Sequence, residues 1–132
     1  MGDETILQFL ARYGSALSEG DLVVIADSWE PPALVLADEA TMPVAEIGEV
    51  QAFFSQAVEW YRAQGLMATR PTLGGVQRLG ERLTAVDVAW SAVDADGVEK
   101  SRERSHYILR RGVDGRYRIK VALTVAEPPG SA

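Results

Sequence analysis

The 132-residue chain has no cysteine and a single histidine, His106. Without thiols there is no disulfide, no thiolate nucleophile and no Cys-based zinc or iron–sulfur site, and one imidazole cannot build a His-rich metal centre; no metal is expected. No apolar run approaches the roughly 20 residues needed to span a bilayer, so a soluble domain without a membrane partner is predicted. Gly2-Asp3-Glu4 is acidic where a secretory leader would be basic, and the apolar residues that follow are periodic rather than continuous, which predicts cytoplasmic residence. Cations are in the minority, 13 Lys and Arg against 19 Asp and Glu, and the net charge of −6 argues against nucleic acid, whose binding rests on neutralised phosphates. A Gly-rich phosphate loop and a serine nucleophile motif are also missing; Gly112-Val113-Asp114-Gly115 reads as a hairpin turn. No cofactor is expected.

What is present is enough apolar sequence for one core. Hydrophobic residues make up 47 % of the chain, and a chain of this length buries roughly 65–70 % of its unfolded surface. One domain over residues 1–127 is predicted, with a disordered tail over 128–132. Thr5 and Gln8 have capping-box spacing, and Ile6, Phe9, Leu10, Tyr13, Ala16 and Leu17 then recur at helical spacing up to Gly20. Asp21 caps a short second helix through about Ser28, stopped by Pro31-Pro32. Ala33 to Ala37 reads as a strand, and Asp38 to Thr41 as a turn into a second extended piece ending near Val44. A third helix runs from about Ile47 to Gln64, with Ile47, Val50, Phe54, Val58 and Tyr61 on one stripe that Phe53, Ala57 and Trp60 broaden.

Beyond Gly65 the period changes from 3.6 to 2 and predicts four strands: about Leu66 to Leu79, Leu83 to Val93, Val98 to Arg111 and Tyr117 to Ala126. Gly80-Glu81, Asp94-Ala95-Asp96-Gly97 and Val113-Asp114-Gly115 are short enough to force antiparallel neighbours. Gly74-Gly75 signals a bulge that bends the sheet. The fold class is α+β: three N-terminal helices covering one face of a curved antiparallel sheet. Alternation points Thr84, Val86, Val88 and Trp90 inward, and likewise Tyr117, Ile119, Val121, Leu123 and Val125. For Val98 to Arg111 periodicity alone does not choose between Glu103, Ser105, Tyr107, Leu109 and the opposite set, Arg104, His106, Ile108, Arg110.

With Leu10-Ala11-Arg12-Tyr13, Gly20-Asp21, Trp29 and Ala33 in this order, the chain resembles the NTF2-like (cystatin-like) superfamily, a cone of curved sheet around three helices that includes ketosteroid isomerases and SnoaL-type polyketide cyclases. The resemblance extends over nearly the whole chain. It implies that Tyr13 stands where the isomerase has its oxyanion-hole tyrosine, a case that serves as a standard illustration of tuned acidity. It places the isomerase base at or beside Ala37, with Asp38 the adjacent carboxylate. It places the second oxyanion donor at Tyr107, and so selects Glu103, Ser105, Tyr107 and Leu109 as the inward set. It also implies a homodimer.

The expected site is therefore an apolar pocket for a small hydrophobic molecule, walled by Trp29, Phe54, Val88, Trp90, Val121 and Leu123. Tyr13, Asp38, Tyr107 and Glu103 are its candidate catalytic groups, suited to cofactor-independent acid–base chemistry on a carbonyl compound, with either Asp38 or Glu103 moving the proton. Two other readings stand beside this one: a binding module without chemistry, and a dimeric interaction domain whose cone is filled. His106 travels in phase with Arg104 and Ile108, opposite Tyr107, with Asp87 as its expected cross-strand partner. That outer face is apolar enough to predict homodimerisation through it.

Overall fold

The computed structural model describes residues 3–126. Helix α1 (Ile6–Glu19) begins with the expected capping box: Gln8 N donates to Thr5 Oγ1 at 3.1 Å, and Thr5 N to Gln8 Oε1 at 2.9 Å. It ends at Gly20, whose φ of 72° suits a residue without a Cβ. Asp21 caps α2 (Leu22–Asp27) by accepting from Val24 N at 3.2 Å. After strands β1 (Trp29–Ala37) and β2 (Ala40–Val44), helix α3 (Ile47–Ala63) opens with Glu49 Oε1 accepting from Ala45 N and Glu46 N. Strands β3 (Ala68–Arg78), β4 (Leu83–Val93), β5 (Glu99–Arg111) and β6 (Tyr117–Ala126) follow.

The six strands form one sheet in the order β2-β1-β6-β5-β4-β3. Every neighbouring pair is antiparallel except β1 with β6, so the sheet is mixed rather than purely antiparallel as expected. The reason is connectivity: hairpins join the other pairs, whereas β1 meets β6 only after most of the chain has intervened. β1 also starts earlier than its sequence suggests, at Trp29. Pro31 and Pro32, joined by a cis bond, fall where the β1–β6 register shifts, and there the missing N–H groups interrupt no regular ladder.

Two of the sheet's register shifts decide where side chains point. Gly74 and Gly75 lie between the pairs Leu73↔Val88 and Val76↔Val86, where the glycines predicted a bend. A second irregularity lies in β6, where Leu109 pairs with Ile119 but Ile108 pairs with Val121, leaving Lys120 as the extra residue. One residue of slip reverses every later side chain. Ile119 is buried as expected, but beyond it Ala122 turns inward while Val121 and Leu123 turn to the outer face. The predicted tail over 128–132 and the side chain of Val125 lie outside the described residues.

α1 packs on β3, and the narrow end of the cone is filled by Phe9, Leu10, Tyr13, Ile25, Val88, Leu109 and Ile119. α3 behaves differently. It packs chiefly on α2 and leans on β1 and β2, and of its apolar stripe only Val50 is fully buried. The wide end of the cone is hollow as a result. An N-terminal clasp closes the opposite end: Arg12 donates to both carboxylate oxygens of Glu4 at 3.0 and 3.2 Å and to Ser28 Oγ at 3.1 Å. Glu4 Oε1 in turn accepts from Tyr117 N at 2.9 Å.

Candidate functional site

Between α3 and the inner face of the sheet lies a cavity of about 460 Å³. Its helical wall is apolar, with Phe53, Phe54, Ala57 and Val58. The sheet wall is polar along one strand, because Ser101, Glu103, Ser105 and Tyr107 of β5 alternate toward the cavity. Residues two apart on a strand are about 7 Å apart, so this row offers hydrogen-bonding groups at regular intervals opposite a greasy surface. The phase left open by periodicity is thereby set. Paired with β4 without a register shift from Arg110 to Ser101, β5 keeps Glu103, Ser105, Tyr107 and Leu109 on the inside, with His106 outside.

Tyr107 is buried and its oxygen accepts from Trp90 Nε1 at 2.9 Å. Burial pushes its phenol up to about 12, the neighbouring hydrogen bonds of Ser105 and Trp90 act in the opposite direction, and the Glu103 charge adds to the rise. At neutral pH it is therefore a hydrogen-bond donor, never a phenolate. Glu103 is half-buried at the cavity wall and faces Tyr61 of α3. Burial first, then the Glu103 charge and hydrogen bond, push the Tyr61 phenol up as well. A carboxylate and two phenols thus line one cavity. The other charged groups on its wall are engaged elsewhere: Glu49 caps α3, and Arg62 donates to the Glu19 carbonyl at 3.0 Å.

Tyr13 stands immediately behind this wall. It is buried, does not line the cavity, and accepts from Trp29 Nε1 at 3.1 Å. Its ring meets Tyr107 edge-on at 6.4 Å, Trp90 edge-on at 6.0 Å and Phe9 face-on at 5.7 Å. Burial, then the nearby Tyr107 phenol, push its pKa well up, against the Trp29 hydrogen bond. The two tyrosines are thus each held by an indole, and each of those indoles, Trp29 and Trp90, lines the cavity.

Of the residues expected at the site, Tyr107, Glu103, Trp29, Phe54 and Trp90 line the cavity together. Asp38 does not: Ala37 pairs with Ala40, so Asp38 and Glu39 form the exposed two-residue turn of the β1–β2 hairpin. Val88 points inward but is packed into the filled end of the cone. Val121 and Leu123 face away because of the Lys120 bulge.

The sequence marks Tyr61 as part of the α3 stripe and not as a site residue. The signal was available, since it is a phenol on the apolar stripe of a helix, the same pattern that marks Tyr13. Ser105, between Glu103 and Tyr107, was readable as inward but carried no motif. Among the described residues no cluster of three or more His, Asp or Glu is placed to hold a metal ion, and no helix is long and apolar enough to cross a membrane.

Solved structures with the same fold are numerous. A domain of unknown function with a cystatin-like fold from Nostoc punctiforme superposes with a TM-score of 0.73 at 18 % identity, covering 92 % of this chain and 75 % of that one. A ketosteroid isomerase-like protein from Erwinia carotovora atroseptica superposes with a TM-score of 0.70 at 13 % identity, covering 94 % and 95 %. An NTF-2 like protein of unknown function from Shewanella oneidensis gives 0.71 at 14 % identity, covering 90 % and 94 %. At these identities the likeness is one of fold. No curated protein matches the sequence. The family model described as NTF2-like protein (DUF6841) matches residues 3–127, nearly the whole chain. The chain belongs to this NTF2-like family.

Proposed function

We propose that the cone binds a small, mostly apolar carbonyl compound and moves a proton on it without a cofactor. The observation that carries this reading is the placement of Glu103 and Tyr107 on one face of β5, both opening into a cavity of about 460 Å³ whose opposite wall is apolar. The volume falls in the range of small-molecule sites, and a few convergent polar groups in an apolar hollow are what such sites use for orientation. The Tyr107 O–H donates to the carbonyl oxygen, while Glu103 takes a proton from an acidified carbon and returns it to another position. Because the Tyr107 pKa lies near 12, the phenol stabilises developing negative charge without surrendering its own proton in the resting state. Tyr61 holds Glu103 from the helical side, and Tyr13 supports Tyr107 from behind.

The experiment is solvent exchange. The protein is incubated in D₂O with a panel of cyclic and aryl ketones, and deuterium incorporation at carbon is followed by NMR. The reading expects catalysed exchange on at least one class, abolished in Glu103→Gln and slowed about 10²–10³-fold in Tyr107→Phe, as for loss of an oxyanion donor. Saturable binding with no exchange in any class would replace it with the second reading, a binding module without chemistry. That second reading rests on the same hollow; the alternative of a filled cone has no such support.

A further inference from the structure

Arg62 is the only basic residue among the described residues that line the cone cavity, and it stands at the exposed rim. Elsewhere in this acidic chain arginines end on carboxylates: Arg12 on Glu4, Arg110 on Glu30, Arg118 on Asp114. Arg62 does not. The only hydrogen-bond partner of its guanidinium among the described residues is the Glu19 carbonyl, which accepts from Nη2 at 3.0 Å. Gly20 makes room for this contact, since a Cβ there would lie 3.3 Å from the same nitrogen. One N–H is spent on the carbonyl. The rest of the planar fork stays open, and its geometry is the one that matches a carboxylate edge to edge.

Consecutive residues of α1 fix this end of the hollow. Glu19 holds Arg62, while Ser18 Oγ accepts from Thr69 N at 3.0 Å and donates to the Gly14 carbonyl at 2.8 Å. Arg62 is thereby set beside the start of β3. Thr69, Ala92 and Ser101 are neighbours across β3, β4 and β5, and Trp90 and Glu103 form the next inward pair along the same strands. A molecule held at the Arg62 rim therefore extends its body toward Trp90, Glu103 and, further along β5, Tyr107.

We infer that the ligand of the cone is a carboxylic acid, a flat apolar monoanion that also bears a carbonyl group, and that Arg62 is the residue that reads its charge. The inference rests on the reading of the cone as a small-molecule site given above. Charge balance selects the anion. Arg62 shares the wall with Glu49 and Glu103, so one guanidinium offsets a single negative charge, whereas a phosphate dianion would bring a second charge against two carboxylates. With the carboxylate at the rim, the apolar body lies between Phe54 and Trp90, and its carbonyl end is offered to Glu103 and Tyr107.

The test compares an acetylnaphthoate with the corresponding acetylnaphthamide, which has the same shape without the charge, by titration at neutral pH with the Trp29 and Trp90 indole N–H resonances as readout. The wild type should bind the acid about tenfold more tightly than the amide, the worth of a hydrogen bond to a charged group. Arg62→Gln should erase the preference. Arg62→Lys, which keeps the charge without the fork, should keep part of it. Arg70→Gln removes the same charge from an exposed position on β3 outside the cavity and should keep the preference whole. Equal affinity for acid and amide in the wild type, a preference that survives Arg62→Gln, or one that is lost in Arg70→Gln would each overturn the inference. Absence of binding by either compound would overturn it together with the reading on which it rests. Deuterium exchange at the acetyl carbon, followed in the same samples, separates the two: a preference for the acid without exchange keeps Arg62 as the anchor and removes only the proton transfer.

Discussion

Trp90 Nε1 donates to the Tyr107 hydroxyl at 2.9 Å, and Trp29 Nε1 donates to the Tyr13 hydroxyl at 3.1 Å, so one arrangement occurs twice where the packed and hollow parts of the cone meet. In each pair the indole has a single proton to give and nothing else to do with it. The phenol oxygen is thereby fixed while its own proton stays available. Removing the hydroxyl leaves a buried N–H without an acceptor. Tyr107→Phe should lower stability by about 1–3 kcal/mol, measured by urea denaturation. Trp90→Phe should cost less for this contact, and the double variant should show a coupling of about 1 kcal/mol between the two sites.

The same burial gives the protein an alkaline weakness. Tyr107 titrates at about 12 in the fold, and Tyr13 is also raised well above its ordinary value. An unfolded tyrosine loses its proton near pH 10. Above that pH the unfolded state binds fewer protons than the native state, so stability falls as pH rises from about 10 through the folded value. Each phenol contributes a slope of up to about 1.4 kcal/mol per pH unit in that window. Stability against urea should be nearly flat from these groups below pH 10 and should decline beyond it. Tyr107→Phe should decline less steeply.

The N-terminal clasp should be costly to break. Arg12 and Glu4 have side chains only 16 % and 10 % exposed, and Glu4 also holds the start of β6 through Tyr117 N. Arg12→Ala leaves that carboxylate uncompensated, and a loss of about 3 kcal/mol is expected. Gly115→Ala should also destabilise, because φ is +81° there and the new Cβ would stand 2.8 Å from Asp3 Oδ1. Thermal denaturation of both variants checks this.

The β6 bulge makes an unequal pair of truncations. Ile119 is fully buried and Leu123 is not, although the alternation along β6 points both inward. Ile119→Ala should cost about 2–5 kcal/mol, the range for emptying a packed core site. Leu123→Ala should cost markedly less in chemical denaturation.

That pair also marks where the sequence stops being legible. β4 and β5 could be phased because the first alternates cleanly through Val86, Val88 and Trp90, and the second interleaves Tyr107 and Leu109 with charged residues once a hairpin reference is chosen. The Gly74-Gly75 bulge announces itself, since glycine marks such a bend. The β6 bulge falls on Lys120, a residue with no backbone peculiarity, and so alternation alone points Val121 and Leu123 to the wrong face. α3 shows a second limit. Its apolar stripe has the same period whether it packs against a core or lines a cavity, and only the structure reveals Phe53 at 51 % exposure and Phe54 at a hollow. Tyr61 belongs to that stripe, and its meeting with Glu103 depends on how far α3 stands from β5, a distance that no local pattern encodes. Asp38 was ambiguous by one residue, and the hairpin turn resolves it outward.

Occupancy of the cone is the most direct test of the account. The chain has three tryptophans, of which Trp29 and Trp90 line the cavity and Trp60 lies exposed on α3. Each indole N–H gives a separate NMR resonance. On titration with a naphthyl ketone, the Trp29 and Trp90 resonances should shift saturably together while Trp60 stays in place, and Ala57→Trp, which fills the hollow, should abolish the response while adding one resonance of its own. A titration in which Trp29 and Trp90 do not move, or in which only Trp60 moves, would contradict a ligand site between α3 and β5.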